Sequence, residues 1–224
     1  IPGIANSSPV VWGNRVFVST AISGAGNMTF RTGDYGSVAP VDDLSEHVWK
    51  LYALDLESGE TVWEREVLRG APRTKRHQKG SQASSTPVTD GRHVVVLFGT
   101  AGVLACYDMD GNLLWQKDLG LLDSGWFYDA TVQWGHSSSP IIYGRSVILQ
   151  VDRQKDSFVA AYGLDDGTEL WRTSRDDEIP TWGTPTIATG QRGDELVTNG
   201  TTIRGYDPTT GELRWTLGPN SEIS

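Results

Sequence analysis

Seven residues of this sequence have side chains suited to binding a ligand and lie in neighbouring polar segments: Tyr128, Asp129, Trp134, His136, Asp152, Arg153 and Trp182. An indole face, an imidazole, a carboxylate and a guanidinium could together form a polar pocket with an aromatic platform. Trp134 and Trp182 are each followed by Gly and stand shortly before a Pro that begins a predicted strand, so they could instead pack the wall of the fold. We favour packing and keep the pocket as the alternative.

Other kinds of chemistry lack their sequence patterns. The chain contains no Gly-x-Ser-x-Gly, His-Glu-x-x-His or P-loop sequence, and its four His residues have no metal-ligand spacing. The segment 108–112, "DMDGN", has alternating oxygen ligands but lacks the distal Glu of a calcium loop, which indicates a turn. The single Cys106 lies in an apolar strand pattern, where a buried thiol is expected. We therefore predict no catalytic residue and no metal ligand.

The charge balance argues against some partners. The chain carries 28 Asp and Glu against 19 Lys and Arg, a net charge of −9, which opposes binding to nucleic acid. No apolar run approaches the roughly 20 residues of a membrane span. The one basic stretch, residues 69–79, is interpreted as a solvated loop, with docking to an acidic partner or a headgroup surface as the alternative.

The candidate residues must be positioned by a repeated unit. A Gly-x-x-x-Trp sequence occurs four times with the same spacing, as Gly59 to Trp63, Gly111 to Trp115, Gly167 to Trp171 and Gly211 to Trp215. In each copy an apolar segment and an Asp-containing turn precede a Gly that can adopt positive φ. The repetition indicates structure rather than chemistry. We assign all eight residues to docking between repeats, where each Trp buries apolar surface.

Each repeat is predicted to consist of four short strands. A small polar run, then Pro and β-branched residues, begins each copy, as in "SSSPIIYGRSVILQV" from Ser137. Successive Trp residues of the repeat are 44 to 56 positions apart, a spacing typical of propeller blades. The apolar segments are short and broken by Gly, Asp and Asn, which favours antiparallel strands over helix. The predicted fold class is all-β, a β-propeller of four-stranded antiparallel blades.

The repeat resembles the tryptophan-docking motif of the PQQ-type β-propellers. The likeness is clearest in "ALDLESGETVW", residues 53–63, with the pattern Ala-x-Asp-x-x-x-Gly-x-x-x-Trp, and it covers all four repeats. Cys106 and Gly163 are assigned to the Ala position of their repeats. That family includes eight-bladed quinoprotein alcohol dehydrogenases, the propeller lipoprotein of the outer-membrane barrel-assembly machine and secreted propellers without a quinone. The resemblance implies a periplasmic or extracellular location.

The same resemblance implies a cofactor to look for. Quinoprotein dehydrogenases of the family hold PQQ between a Trp and a disulfide of adjacent Cys residues, above a calcium ion bound by carboxylate and Asn ligands. Trp134 or Trp182 could supply one stacking face, but the chain has one Cys and no identifiable calcium ligands. We expect neither PQQ nor calcium.

The repeats predict a single domain that forms half a ring. Residues 1–224 are assigned to one propeller domain, residues 21–47 to an insertion in its first blade, and the blades approximately to 7–66, 84–119, 137–174 and 183–217. Four blades are half of the family's eight, so we expect an arc completed by further sequence or by a second copy. A closed four-bladed ring is the alternative, which contact between the first and fourth blades would establish.

Two functions are compatible with this fold. Because the repeated residues dock blades, the expected function is a non-catalytic scaffold or binding module for a protein or other macromolecular partner. The alternative is a quinoprotein-like dehydrogenase or another enzyme whose site lies at the mouth of the central channel. Fold alone does not decide between them.

Overall fold

A computed structural model describes residues 1–31, 38–191 and 193–221. Residues 32–37 of the predicted insertion and residue 192 of the last predicted blade lie outside the described residues. The described chain is built of strands and contains no helix. The strands are β1 (Val10–Trp12), β2 (Arg15–Ser23), β3 (Pro40–Val41), β4 (His47–Asp55), β5 (Thr61–Gly70), β6 (Arg76–His77), β7 (Val88–Thr89), β8 (His93–Phe98), β9 (Val103–Asp108), β10 (Leu113–Asp118), β11 (Ile141–Tyr143), β12 (Ser146–Val151), β13 (Phe158–Gly163), β14 (Glu169–Ser174), β15 (Thr186–Gly190), β16 (Gly193–Thr198), β17 (Ile203–Tyr206) and β18 (Leu213–Leu217).

Sixteen of these strands form four antiparallel sheets, which are the blades. The strand orders are β1-β2-β4-β5, β7-β8-β9-β10, β11-β12-β13-β14 and β15-β16-β17-β18. Consecutive strands of each blade are neighbours, as in a simple meander. This confirms the prediction of an all-β fold with four-stranded antiparallel blades.

The turn residues of the sequence set the hairpins. In the third blade, Tyr143 of β11 pairs with Ser146 of β12 across a two-residue turn in which Gly144 has φ of +57°. In the first blade, Gly13 takes the same place between β1 and β2, with φ of +55°. Glycine adopts these left-handed angles without a Cβ penalty, so the inner strand of each of these blades returns directly into the next strand.

The hydrophobic core consists of layers between successive blades. Trp49 and Leu51 of the first blade are fully buried in one cluster with Val94 and Phe98 of the second. Similar clusters lie between the second and third blades and between the third and fourth. Strands β8 and β9 are buried along their length, with Asp108 half-buried, because the second blade has a neighbour on both faces. None of these clusters joins the first and fourth blades in the described residues, so the described blades form an arc rather than a closed ring of four.

The insertion of the first blade reaches over to the basic stretch. Its strand β3 pairs antiparallel with β6, so that Val41 lies opposite Arg76. Arg76 is buried and donates hydrogen bonds to the carbonyls of Gly80 and Thr29. Other cations of the stretch form ion pairs: Arg69 with Glu66 at 2.7 Å, Arg73 with Asp118 at 2.7 Å and Lys75 with Asp42 at 2.6 Å. Much of its positive charge is therefore neutralised by the protein itself.

A chain of hydroxyl hydrogen bonds links all four blades at the start of their inner strands. The residue before the Pro that begins the inner strand of each repeat is Ser or Thr, and in the second, third and fourth blades its hydroxyl accepts a hydrogen bond from the equivalent backbone N–H of the preceding blade. The bonds run from Ser8 N to Thr86 Oγ1 at 3.0 Å, from Thr86 N to Ser139 Oγ at 2.9 Å and from Ser139 N to Thr184 Oγ1 at 3.1 Å. Proline disfavours helical angles in the residue before it, which helps to keep these N–H groups off a helical path and directed at the next blade. We call this series the hydroxyl ladder.

The ladder predicts a stability difference between two neighbouring serines. Ser139→Ala removes the acceptor of the Thr86 N–H and is expected to lower the free energy of unfolding by about 1 kcal/mol. Ser137→Ala is the matched control, because its hydroxyl has no hydrogen-bond partner among the described residues, and it is expected to change stability by less than about 0.5 kcal/mol. Urea unfolding of both variants measures the difference. Equal stabilities would show that the ladder contributes nothing.

Candidate functional site

Three of the four repeat tryptophans lie over a glycine of the next blade. The contacts are Trp63 over Gly111, Trp115 over Gly167 and Trp171 over Gly211. A Cβ added to Gly167 would stand 2.7 Å from the Trp115 ring, so only glycine lets the indole approach this closely. Gly167 also has φ of +68°, which other residues rarely adopt. The fixed spacing of Gly and Trp in the sequence thus corresponds to contacts between blades.

Two of these indoles also form hydrogen bonds with the next blade. Trp63 Nε1 donates to the Met109 carbonyl at 3.0 Å, and Trp115 Nε1 donates to the Leu164 carbonyl at 2.7 Å. Both carbonyls belong to the blade that the indole packs against. Since a buried indole N–H without an acceptor is costly, these bonds fix the ring orientation as well as adding stability.

The first glycine and the last tryptophan of the repeated Gly-x-x-x-Trp sequence, Gly59 and Trp215, make no such contact between blades. No atom from elsewhere in the described structure lies within 4 Å of where a Gly59 Cβ would stand, so no indole covers this glycine. Trp215 is half-buried and lies over Gly205 of its own blade, and its Nε1 donates to the Glu195 carboxylate at 2.9 Å. These two predicted docking residues are therefore not brought against another blade.

One assignment within the repeat was wrong. Gly163 was placed at the Ala position, but Ala161 lies opposite Trp171 in the register that Ala53 has with Trp63. Gly163 instead starts the turn, where the other repeats have Asp, and its N–H closes the hairpin. Asp165 and Gly167 are two positions apart, whereas Asp55 and Gly59 are four apart, because Asp165 is not the first residue of its turn.

The two tryptophans of the predicted ligand site lie together at one end of the blades. The ring centroids of Trp134 and Trp182 are 5.5 Å apart and the rings are tilted by 43°. Trp134 Nε1 donates to the Val38 carbonyl at 2.8 Å, and Trp182 Nε1 donates to the Gly135 carbonyl at 2.9 Å. Because both N–H groups are already used, the rings present apolar faces rather than hydrogen-bond donors.

These rings line a cavity of about 330 Å³ at the loops that precede the inner strands. The lining residues are His77, Lys79, Gly80, Ser84, Trp134, Gly135, Ser137 and Trp182. His77 contacts Trp134 edge to face, with ring centroids 5.6 Å apart. His77, Lys79, Ser84 and Ser137 were not among the predicted ligand residues. Their position in the loops before the Pro residues that begin the inner strands was the available sequence signal. We call this cavity the tryptophan pocket.

Asp152 lies elsewhere, in the core between the third and fourth blades. Its carboxylate is fully buried and accepts hydrogen bonds from Arg175 at 2.7 and 3.0 Å, from Gln150 at 2.7 Å and from Thr181. Burial lowers the pKa of the Arg175 guanidinium, but its hydrogen bonds to Asp152 outweigh this, so the pKa lies above its ordinary value. Every oxygen of Asp152 is thus engaged within the protein.

The buried charges around Arg175 continue into the fourth blade. Arg175 also donates to Thr198 Oγ1 at 2.7 Å and to the Tyr206 hydroxyl at 2.9 Å. Glu178 lies 3.5 Å from Arg175 and 3.0 Å from Arg204. A buried charge is tolerated only when it is paired and hydrogen-bonded, which is the case here. The network joins the two blades and leaves Asp152 no role in the tryptophan pocket.

His136 is buried beneath the pocket rather than lining it. Its side chain is 2% exposed, its Nδ1 lies 3.4 Å from Ser124 Oγ, and its Nε2 has no hydrogen-bond partner in the described residues. Burial lowers the pKa of this imidazole to about 4. His136 is therefore neutral at pH 7, and it is not among the described residues that line the cavity.

The remaining predicted ligand residues are also dispersed. Arg153 donates to the Leu121 carbonyl at 2.6 Å and lies over the Phe158 ring, beside a separate cavity. Tyr128 is 72% exposed, and Asp129 caps a local turn through Thr131. Of the seven residues, the structure brings Trp134 and Trp182 together at the tryptophan pocket. In the interior, the Ser124 hydroxyl links two others, since it lies 3.4 Å from His136 Nδ1 and donates to the Asp152 carbonyl at 2.7 Å.

The described lining of the tryptophan pocket does not fit PQQ with calcium. Calcium takes six to eight oxygen ligands, usually with carboxylates among them, and the lining residues that the structure describes include no Asp, Glu or Asn. Cys106 lies in the core between the second and third blades, and burial raises its pKa to about 12. Elsewhere in residues 1–31, 38–191 and 193–221, no group of three or more His, Cys, Asp or Glu could hold a metal ion.

The described structure has no helix long and apolar enough to cross a membrane.

Comparison with known proteins identifies relatives of this chain. Residues 44–157 match the sequence model of the family described as outer membrane protein assembly factor BamB. No curated protein matches the sequence.

Several solved structures share the fold. A europium-containing methanol dehydrogenase aligns with a TM-score of 0.59 and 13% identity over 96% of this chain, and BamB from Moraxella catarrhalis aligns with a TM-score of 0.50 and 17% identity over 93%. A quinohemoprotein alcohol dehydrogenase from Pseudomonas putida HK5 aligns with a TM-score of 0.53 and 14% identity over 96%. This chain spans 41%, 47% and 34% of their respective lengths. At these identities the likeness concerns the fold.

The contrast between Gly167 and Gly59 predicts the energy of one docking contact. Both glycines have positive φ, so Ala at either position costs about 1–2 kcal/mol in backbone strain. Gly167→Ala must also displace the Trp115 ring, whereas Gly59→Ala enters open space. We expect Gly167→Ala to lower the free energy of unfolding by at least about 1 kcal/mol more than Gly59→Ala in urea titrations. Equal losses would mean that the ring contact contributes nothing.

The buried His136 predicts how stability depends on pH. Its folded pKa of about 4 lies below the ordinary value of 6.5, so as pH falls the unfolded chain binds a proton first. The stability due to neutral His136 is complete above pH 6.5 and is lost progressively down to about pH 4. The loss is about 3 kcal/mol. Urea unfolding of the wild type and of His136→Gln at several pH values from 7 to 4 measures the loss. The difference between their free energies of unfolding should decrease as the pH falls, and a constant difference would contradict the prediction.

Proposed function

Because the chain belongs to the PQQ-type repeat family described as outer membrane protein assembly factor BamB, we propose that it is a non-catalytic scaffold that binds a protein partner. The partner is received at the end of the blades that carries the tryptophan pocket. We propose further that the protein acts outside the cytoplasm, in the periplasm or beyond it, as the family resemblance implies.

The observation that carries this proposal is how the ionisable groups of the candidate site are used. General acid–base catalysis needs a titratable group that reaches a bound substrate. Asp152 is enclosed by its hydrogen-bond donors, and His136 is buried and neutral, so neither of these two reaches the cavity. The titratable groups among the described residues that line it are Lys79 and His77, and the His77 ring accepts a hydrogen bond from the Lys79 N–H and packs edge to face with Trp134. The tryptophan pocket offers mainly apolar ring faces at the surface. Trp134 and Trp182 are half-buried, and aromatic residues that remain accessible in loops held by a rigid scaffold are typical of protein-binding surfaces.

The comparisons supply a second candidate. The structural relatives include dehydrogenases as well as BamB, so a quinoprotein-like enzyme with its site in the same cavity is the alternative. Against it stand the described lining of the pocket, which contains no carboxylate, and the single cysteine of the sequence, which lies in the core between the second and third blades. We therefore propose that PQQ and calcium are not cofactors of this chain.

Site-specific photo-crosslinking tests the scaffold function. A photo-reactive amino acid at Ser84 would lie in the tryptophan pocket, whereas one at Glu57 would lie in the exposed turn between β4 and β5 at the opposite end of the blades. In cells that produce the protein, we expect one dominant adduct from position 84 and none from position 57. Mass spectrometry would identify the partner.

The same protein, incubated with PQQ and Ca²⁺ and then dialysed, tests the alternative. We expect no retained chromophore and no dye-linked dehydrogenase activity. A retained quinone with activity, together with no adduct at position 84, would overturn the proposal in favour of the enzyme.

A further inference from the structure

The tryptophan pocket contains the one cation of the basic stretch that has neither a carboxylate nor a carbonyl partner in the described structure. Arg69, Arg73 and Lys75 are held by carboxylates, and Arg76 by two carbonyls. Lys79 is exposed, lines the cavity, and its ammonium has no ion pair or hydrogen bond among the described residues. A positive charge is therefore available at the pocket wall.

The Lys79 ammonium lies in a pocket whose described lining is not acidic, although the chain as a whole is. The chain has a net charge of −9, yet the described lining of the pocket contains no Asp or Glu. Among the described lining residues, an anionic group that enters would meet Lys79 without a competing carboxylate. The Ser137 hydroxyl, which also lines the cavity, has no hydrogen-bond partner in the described chain and is free to donate to such a group.

The rest of the pocket selects for apolar surface. Trp134 and Trp182 are held in place by their indole hydrogen bonds and both line the cavity, with His77 packed edge to face with Trp134. Aromatic pairs with tilted or edge-to-face geometry are favourable, and a further ring or a proline could stack here. A cavity of about 330 Å³ lies at the small end of ligand pockets, which suits one or two side chains.

We propose that the tryptophan pocket binds an acidic segment of the protein partner. A carboxylate of that segment lies against Lys79 Nζ, and an adjacent aromatic or proline side chain packs on Trp134 and Trp182. This inference rests on the proposed function and specifies what the scaffold recognises.

Other anionic partners fit the charges less well. A nucleic acid or a lipid surface gains affinity from several cations acting together, and the neighbours of Lys79 are already paired within the protein. The overall negative charge also repels a polyanion at long range. One carboxylate next to an apolar side chain needs only one cation and an aromatic wall, which is what the pocket provides.

Selection from a random peptide library displayed on phage tests the inference. We expect the wild-type protein to enrich peptides with Asp or Glu beside Phe, Tyr, Trp or Pro. Lys79→Glu is expected to lose the acidic preference and to weaken binding of the best wild-type peptide about tenfold, because the charge reversal removes the attraction to the carboxylate and adds a repulsion in its place. Lys155→Glu changes an exposed lysine outside the pocket to the same residue and is the control.

The outcomes separate this inference from the function on which it rests. Peptides without acidic residues, or equal binding by Lys79→Glu and the wild type, would overturn the inference, while a crosslink at Ser84 would still support the scaffold. Binding of N-acetylphenylalanine as tight as that of the peptide would show a small-molecule site and also overturn it. If no peptide is enriched, the inference fails, and if the crosslink is absent too, so does the proposed function.

Discussion

The structure depends on a close approach between an indole ring and a backbone without a Cβ. Trp115 can lie on the second and third blades at once only because position 167 is glycine with positive φ. The same close approach of a tryptophan to a glycine recurs between each pair of successive blades, so one kind of contact helps to set the position of each sheet against the next. A tryptophan buries on the order of 150–250 Å². This contact therefore contributes much of the apolar surface that each short sheet cannot bury alone.

Once the blades are packed in this way, the position of each loop relative to the strands decides whether its polar residues lie at the surface or between blades. Residues just before the inner strands collect at one end, which brings Trp134, Trp182 and Lys79 around one cavity although 103 positions of chain separate the first and last of them. Residues one strand further along, such as Asp152, turn into the layer between blades and find Arg175. A residue before the inner strand of a blade thus lies at the surface site, whereas a residue at the end of the second strand forms a buried ion pair.

The sequence was sufficient for the blades and insufficient for the site. Regular spacing of Gly and Trp, together with strand-like patterns, predicted four sheets because each repeat offers independent information about the same local structure. A lone Asp152 offers no such repetition, and its partner Arg175 lies 23 positions away in the chain. Lys79 could not be distinguished from its basic neighbours until the structure showed which of them are paired. The misplaced Gly163 shows the limit of aligning short turns by letter when a bulge shifts the register.

The hydroxyl ladder gives the row of blades a direction. Each inner-strand residue such as Ser139 accepts from the blade before it and donates to the blade after it, so the two sides of a blade are different and complementary. A contact of this head-to-tail kind can be extended by another copy of the same unit without altering either side. A blade duplicated in tandem would therefore find its acceptor and its donor already in place. Fusion of repeats within a gene can lengthen such a protein in one step, with no new interface to evolve.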